Sequence, residues 1–287
     1  MLRLLLSIVL SLCCAVASAA PLTIVAAEST YGAIASAIAG ADARVDSIIR
    51  DPNTDPHEFE ASVAVARQVA DADIVLLNGI GYDGWMDKLL AANPSPQRQL
   101  VVAAALAGGR VLPDHNPHLF YDTTVARRVA QRLAQLLEAA DAQHASAFAA
   151  RLQQFDHRLD EVDQAIAALR QAHPGLVVTA TEPVYGYMLR QLGWSSRNMA
   201  FQFNVMNDSE PSPATAAAFE NDLRQHRVAL LFANRQVSDS LTRHMQDVAR
   251  ASAVPVVGVD EFLTSGADYP GWLSASLHAT SQALTQH

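Results

Sequence analysis

Four short stretches of this chain hold the residue types that bind metals. RDPNTDPHEFEAS carries His57 and PDHNPHLFYD carries His118, each histidine preceded by proline and followed two residues later by an aromatic. Proline fixes its own φ and restricts the residue before it, so each imidazole sits on a stiffened loop. Asp55 and Asn116 stand two residues ahead of their histidines, in position to accept a ring N–H and set the tautomer. TATEPVYGY presents Glu182, and VVGVDEF presents Asp260 and Glu261. Singly, Glu182 reads equally as a carboxylate favoured by a helix N-terminus and Asp260 as an N-cap. Together they are two imidazoles and hard oxygens, a donor set for a divalent transition metal.

A fifth stretch, LLNGIGYDGW, has the G-x-G-x-x-G spacing of a dinucleotide-binding turn. The rest of that fingerprint is missing. The following strand, LVVAAA, ends without the carboxylate that would hold a ribose, and Asp83 and Asp87 would repel a pyrophosphate. The turn also follows the third strand of its lobe rather than the first. It reads as a tight exit from a strand, with Asn78 and Tyr82 beside the cleft.

The elements that must position these residues follow from periodicity. Leu22–Glu28, Arg44–Ile49, Asp73–Asn78 and Leu100–Ala105 are β-branched apolar runs that alternate with helical patterns at 31–39, 62–70 and 85–92. A second set, in GLVVTAT, Val228–Asn234 and Pro255–Asp260, alternates with helical patterns at 184–192, 214–225 and 238–252. The expectation is an α/β protein of two lobes, each a parallel sheet flanked by helices. Between them Phe148, Leu152, Phe155, Leu159, Val162, Ile166 and Leu169 recur at steps of four and three, with neither glycine nor proline from 145 to 172. That stripe predicts one long rigid helix, on the order of 40 Å, joining the lobes. The expected divisions are a signal peptide at 1–19, a first lobe at 20–143, the connecting helix at 144–172 and a second lobe at 173–287. Each candidate donor then falls at the carboxyl end of a strand, where open α/β sheets gather ligands.

Composition narrows the function classes. The chain opens MLRLLLSIVLSLCCAVASAA, one basic residue, a short apolar run and the small-residue site Ala17-Ser18-Ala19. This reads as a cleaved secretory signal, and Leu12 is bulky for a lipidation site at Cys13 or Cys14. Both cysteines lie there, so neither disulfides nor thiolate ligands are expected in the mature chain. The formal charge of -9 becomes -10 once Arg3 is removed, which disfavours nucleic acid as a partner.

The ordered motifs DPHEFEAS (55–62), ADADIVLLNGIGYDGWMDKLL (70–90), NPHLFYD (116–122), TEPVYGYMLRQLGW (181–194), EPSP (210–213) and PVVGVDE (255–261) resemble the zinc- and manganese-binding solute receptors of bacterial ABC importers. The resemblance spans essentially the whole mature chain. It implies a periplasmic receptor, a membrane permease as partner, and one Zn2+ or Mn2+ as cargo; nothing in the sequence demands more than a monomer. It further implies metal held by His57 and His118 from the first lobe and by Glu182 and Asp260 from the second, with Glu261 the alternative fourth ligand. Zinc-type members carry histidine where this chain has Glu182, and manganese-type members carry glutamate. Zinc receptors also often carry a long histidine-rich loop, where this chain has only GGRVLPDH, so His115 is the one extra imidazole there. Two other classes fit parts of the pattern: an exported metal-dependent hydrolase, against which neither H-E-x-x-H nor G-x-S-x-G is present, and a metal-binding surface adhesin.

Overall fold

The computed structural model describes residues 21–51, 54, 59–237, 239–263 and 267–285. The expected signal peptide, and His57 with Asp55, lie outside them.

The first lobe runs β1 (Leu22–Glu28), α1 (Ser29–Ala39), β2 (Ala43–Ile49), α2 (Val63–Ala70), β3 (Ile74–Leu77), α3 (Gly84–Ala92), β4 (Gln99–Val102) and α4 (Ala103–Leu106). After α5 (Thr123–Ala140) and α6 (Ala145–Ala172), the second lobe follows: β5 (Val177–Ala180), α7 (Gly186–Leu192), β6 (Ser195–Ser196), α8 (Met199–Met206), α9 (Pro213–Arg224), β7 (Leu231–Asn234), α10 (Ser240–Ala251), β8 (Val256–Val259) and α11 (Tyr269–Thr285). The sheets have matching parallel orders, β2-β1-β3-β4 and β6-β5-β7-β8. In each, strand order reverses beside the first strand, so β1 and β3, and β5 and β7, open a crevice at their carboxyl ends.

The long helix is α6. Its buried face is Phe148, Phe155, Leu159, Val162, Ile166 and Leu169, with Leu152 partly buried. It packs on α1 and α5 of the first lobe and on α7 and α11 of the second. One apolar core therefore runs from Ile24 and Leu76 through Phe120 and Leu159 to Tyr185, Phe232 and Leu277 without a break between lobes. Such a core resists relative movement, because packed interiors have few voids to move into.

Two features depart from the sequence expectation. The run Leu100–Ala105 is strand only to Val102, and Ala103 starts α4. Three alanines carry no β-branch to hold a pleat and favour helix. The helices α5, α8 and α11 and the short β6 were not anticipated. Among the described residues, no helix is long and apolar enough to cross a membrane.

Candidate functional site

The carboxyl ends of the strands converge where the lobes meet. His118 leads into the 3-10 turn Leu119–Tyr121 and is fully buried. Asn116 folds back on it, its Oδ1 accepting the His118 backbone N–H at 2.9 Å and lying 2.8 Å from Nδ1. With Nδ1 carrying the proton toward Asn116, Nε2 presents its lone pair inward, as the spacing of the two residues suggested. The Asn116 amide donates across the cleft to the Pro183 carbonyl at 2.6 Å. That contact ties the His118 loop to the residue after Glu182.

Glu182 leaves β5 in extended conformation and is buried. Its Oε2 accepts from Asn234 Nδ2 at 3.1 Å. The same amide donates to Glu261 Oε1 at 2.7 Å. Glu261 Oε2 in turn accepts from the Tyr82 hydroxyl at 2.9 Å and stands 3.5 Å from His118 Nε2. Burial first, then the charge of Glu261, raises the Tyr82 pKa, so the phenol stays a donor. His118 and Glu261 thus stand side by side, and Asn234 links Glu261 to Glu182; among the described residues no three histidine or carboxylate side chains form a group that could hold a metal ion by themselves.

Asp260 is placed otherwise. Its carboxylate forms a two-armed pair with Arg235, Nε to Oδ1 at 2.7 Å and a terminal nitrogen to Oδ2 at 2.5 Å. Its carbonyl accepts from Tyr121 at 2.7 Å. The backbone at 261 is held from both lobes, since Thr30 donates to the Glu261 carbonyl at 2.8 Å and Gln236 Oε1 accepts the Glu261 N–H at 2.9 Å. Arg235 thus holds the Asp260 carboxylate, and it is the Glu261 carboxylate that stands beside His118. His115 is exposed at a positive φ of 58°. For His57 the structure gives the launching strand alone, with Ile49 of β2 beside Glu28 of β1.

The glycine turn contributes through its shape. Gly79 and Gly81 take φ of 79° and 77°, and a Cβ at Gly79 would press on Ala104 and Val102. The N–H groups of Asn78 and Gly79 donate to Asp83, at 2.5 and 2.9 Å. An internal carboxylate fills the place a phosphate would need. Burial, opposed by these two bonds, raises the Asp83 pKa to about 6. Beside it lies buried Glu28, whose pKa is raised first by burial, then by the charge of Asp83 and a side-chain hydrogen bond with it.

A second set of polar contacts fixes the His118 side against α7. Asp122 is buried, caps α5 through the N–H groups of Thr124 and Val125, and pairs with Arg110 at 2.9 Å and Arg190 at 2.5 Å. Tyr187 donates to the Asn116 carbonyl, and Gln191 to the Tyr121 carbonyl.

Sequence reasoning passed over Asn234, Gln236, Thr30 and Arg235. Asn234 had a usable signal: it is the polar residue closing an apolar strand in a lobe whose other strand ends already carried candidates. The partners of Thr30 and Arg235 lie far along the chain and leave no local trace.

Among curated relatives, the manganese ABC transporter substrate-binding lipoprotein PsaA of Streptococcus mitis is 25% identical over 270 residues, covering 88% of this chain and 85% of its own. The metal ABC transporter substrate-binding lipoprotein FimA of Streptococcus parasanguinis is 24% identical over 251 residues, covering 82% and 78%. Two solved structures share the fold. The periplasmic zinc binding protein TroA of Treponema pallidum superposes with TM-score 0.78 at 18% identity, over 92% of this chain and 99% of that one. FpvC of Pseudomonas aeruginosa in complex with Mn2+ gives 0.76 at 21% identity, over 93% and 99%. Residues 24–283, from β1 through α6 into α11, match the family described as ZnuA, zinc-uptake complex component A, periplasmic, and the chain belongs to that family.

Proposed function

We propose that the buried cluster is the seat of a transported metal, held by His57 and His118 from the first lobe and by Glu182 and Glu261 from the second. The protein is the metal-binding receptor of an ABC importer, and its cargo is a divalent transition metal, Zn2+ or Mn2+. Receptors of this kind act outside the cytoplasm and work with a membrane permease, and members of the family are receptors rather than enzymes. For this chain we add that it is exported through a cleaved signal at 1–19, acts as a monomer in the periplasm and performs no chemistry on its cargo.

One observation carries the ligand assignment. His118 Nε2 lies 3.5 Å from buried Glu261, and one amide, that of Asn234, holds an oxygen of Glu261 and an oxygen of buried Glu182. Two buried carboxylates repel, and an arriving dication is what offsets that. The assignment takes Glu261 over Asp260, because Arg235 already neutralises Asp260. Ligation needs neutral imidazole and ionised carboxylate, so protons compete with the metal and acid weakens binding.

Elemental analysis of protein purified without chelator, then calorimetry with zinc and manganese on wild type and His118→Ala, tests this reading. The expected result is one metal per chain, lost in a variant that keeps its thermal transition. Unchanged stoichiometry and affinity in His118→Ala would refute the site.

A further inference from the structure

We propose that a cavity between the lobes binds a small organic ammonium with an apolar body, at a site that adjoins the metal cluster and does not depend on it.

The cavity measures about 370 Å³. Its walls come from the stretch 112–116 ahead of His118 and from β5, α7 and α8 of the second lobe. Leu112, Ala180, Leu189, Trp194 and Met199 make most of that lining apolar. The space exceeds what a single water fills, and it falls in the size range of small-molecule sites, which are apolar clefts with a few placed polar groups. Of the proposed metal ligands among the described residues, only Glu182 borders it.

The polar groups that face an occupant are acceptors. Gln202 is 1% exposed, and its Nε2 donates to the Ser196 hydroxyl at 2.9 Å and to the Arg197 carbonyl at 2.6 Å. A carbonyl only accepts, so the amide nitrogen must face it and Oε1 is turned the other way. No described residue donates to that Oε1, although buried amide oxygens are nearly always paired. A cavity wall with such an acceptor calls for a donor from a ligand. Asp114, exposed, stands at the rim, with one carboxylate oxygen on the Asn116 N–H at 3.2 Å. Glu182 lines the buried end. Arg190 is the cation of the lining, and its two terminal nitrogens are spent on the Arg110 carbonyl and on Asp122, each at 2.5 Å. An amide oxygen and two carboxylates remain. An ammonium donates to all three and carries the opposite charge, while the apolar walls take its body.

Phenethylamine, phenethyl alcohol and phenylacetate share one apolar body and differ at the polar end, so titrating each into isotope-labelled protein with a chelator present shows which group is recognised. The chain has three tryptophans, and Trp194 is the one that lines the cavity, so its indole N–H signal in NMR spectra reports the place. The amine is expected to move the Trp194 signal and leave those of Trp85 and Trp272 unmoved. It should bind about tenfold more tightly than the alcohol, the worth of one charge-assisted hydrogen bond, with phenylacetate weakest. Gln202→Leu should weaken the amine about tenfold, and Met199→Trp, which fills the cavity without removing a hydrogen bond, at least as much. The inference is overturned if the amine leaves Trp194 unmoved at millimolar concentration, if the three compounds bind alike, if Trp85 or Trp272 responds in its place, or if Met199→Trp keeps wild-type affinity. The comparison of the three compounds uses the wild type alone and so survives a variant that does not fold. Because no metal takes part, loss of the receptor reading would leave this result standing.

Discussion

The neighbouring carboxylates Asp260 and Glu261 give the sharpest test, because they differ by one position and are predicted to behave oppositely. At a metal concentration 100 times Kd, binding adds about 2.7 kcal/mol to stability. For a chain of this size that is a rise in Tm of about 5–10 °C. Glu261→Gln removes an ionised ligand from the cluster. Loss of a residue that merely supports a ligand already costs 10–100-fold in affinity, so loss of a ligand should cost about 100-fold or more. At the same metal concentration the added stability then falls to about 0.4 kcal/mol and the shift to about 1 °C. Without metal, Glu261→Gln removes a buried charge beside Glu182, so the metal-free Tm should hold or rise. Asp260→Asn breaks a pair with Arg235, whose side chain is 60% exposed, so it costs about 1 kcal/mol or less and leaves the metal shift intact. Scanning fluorimetry with zinc and manganese on the metal-free proteins reads all of this. If Asp260→Asn abolishes the shift and Glu261→Gln preserves it, the assignment of Glu261 is wrong.

Three further outcomes are expected. Burial raises the Asp83 pKa to about 6 and raises that of Glu28 as well, so both groups bind protons more tightly folded than unfolded; stability should be full in acid below about pH 4 and fall as pH rises, the Asp83 part being lost by about pH 6, at about 1.4 kcal/mol per pH unit for each proton of difference; Glu28→Gln should flatten that slope in urea titrations at several pH values, and an unchanged slope would refute a raised Glu28 pKa. Asn116→Ala frees the His118 ring and should lower metal affinity about 10–100-fold, with calorimetry at wild-type affinity counting against the orienting role. Because the core is continuous and α7 is bound to the His118 loop through Asn116, Asp122 and Gln191, metal should leave the radius of gyration unchanged in solution scattering, and a clear compaction would contradict the rigid reading.

What was legible in the sequence was what repeats locally. The α6 stripe and the β-branched runs each carry their period within a few residues, so a helix over 145–172 and every strand but β6 could be drawn, although the runs 100–105 and 228–234 overran strands that span Gln99–Val102 and Leu231–Asn234. Helix α11 was readable in principle, since Tyr269, Trp272, Leu273 and Leu277 keep helical spacing, but alanine, serine and threonine on its other faces blur the contrast. The choice between Asp260 and Glu261 was not readable at all. It depends on Asn234, which ends β7 and donates to Glu261, and on Arg235 just after it, which pairs with Asp260.

That division has a physical root in how the site is built. The donors come from loops that any strand end can supply, and a local pattern suffices to nominate them. Their orientation comes from contacts between lobes: Thr30 to the Glu261 carbonyl, Tyr82 to the Glu261 carboxylate, Asn116 to the Pro183 carbonyl. Each of these crosses between segments that only the closed core brings together. A residue such as Tyr82, in a turn that first resembled a nucleotide loop, therefore acquires its role from the fold. The turn's glycines let the chain reverse under the cleft, Asp83 occupies its amides, and Tyr82 is left facing the second lobe. On this account a substitution at a donor removes a contact with the metal outright, whereas one at Tyr82 or Asn116 lowers affinity by letting the donor it holds turn away, because those residues act on the geometry of the others.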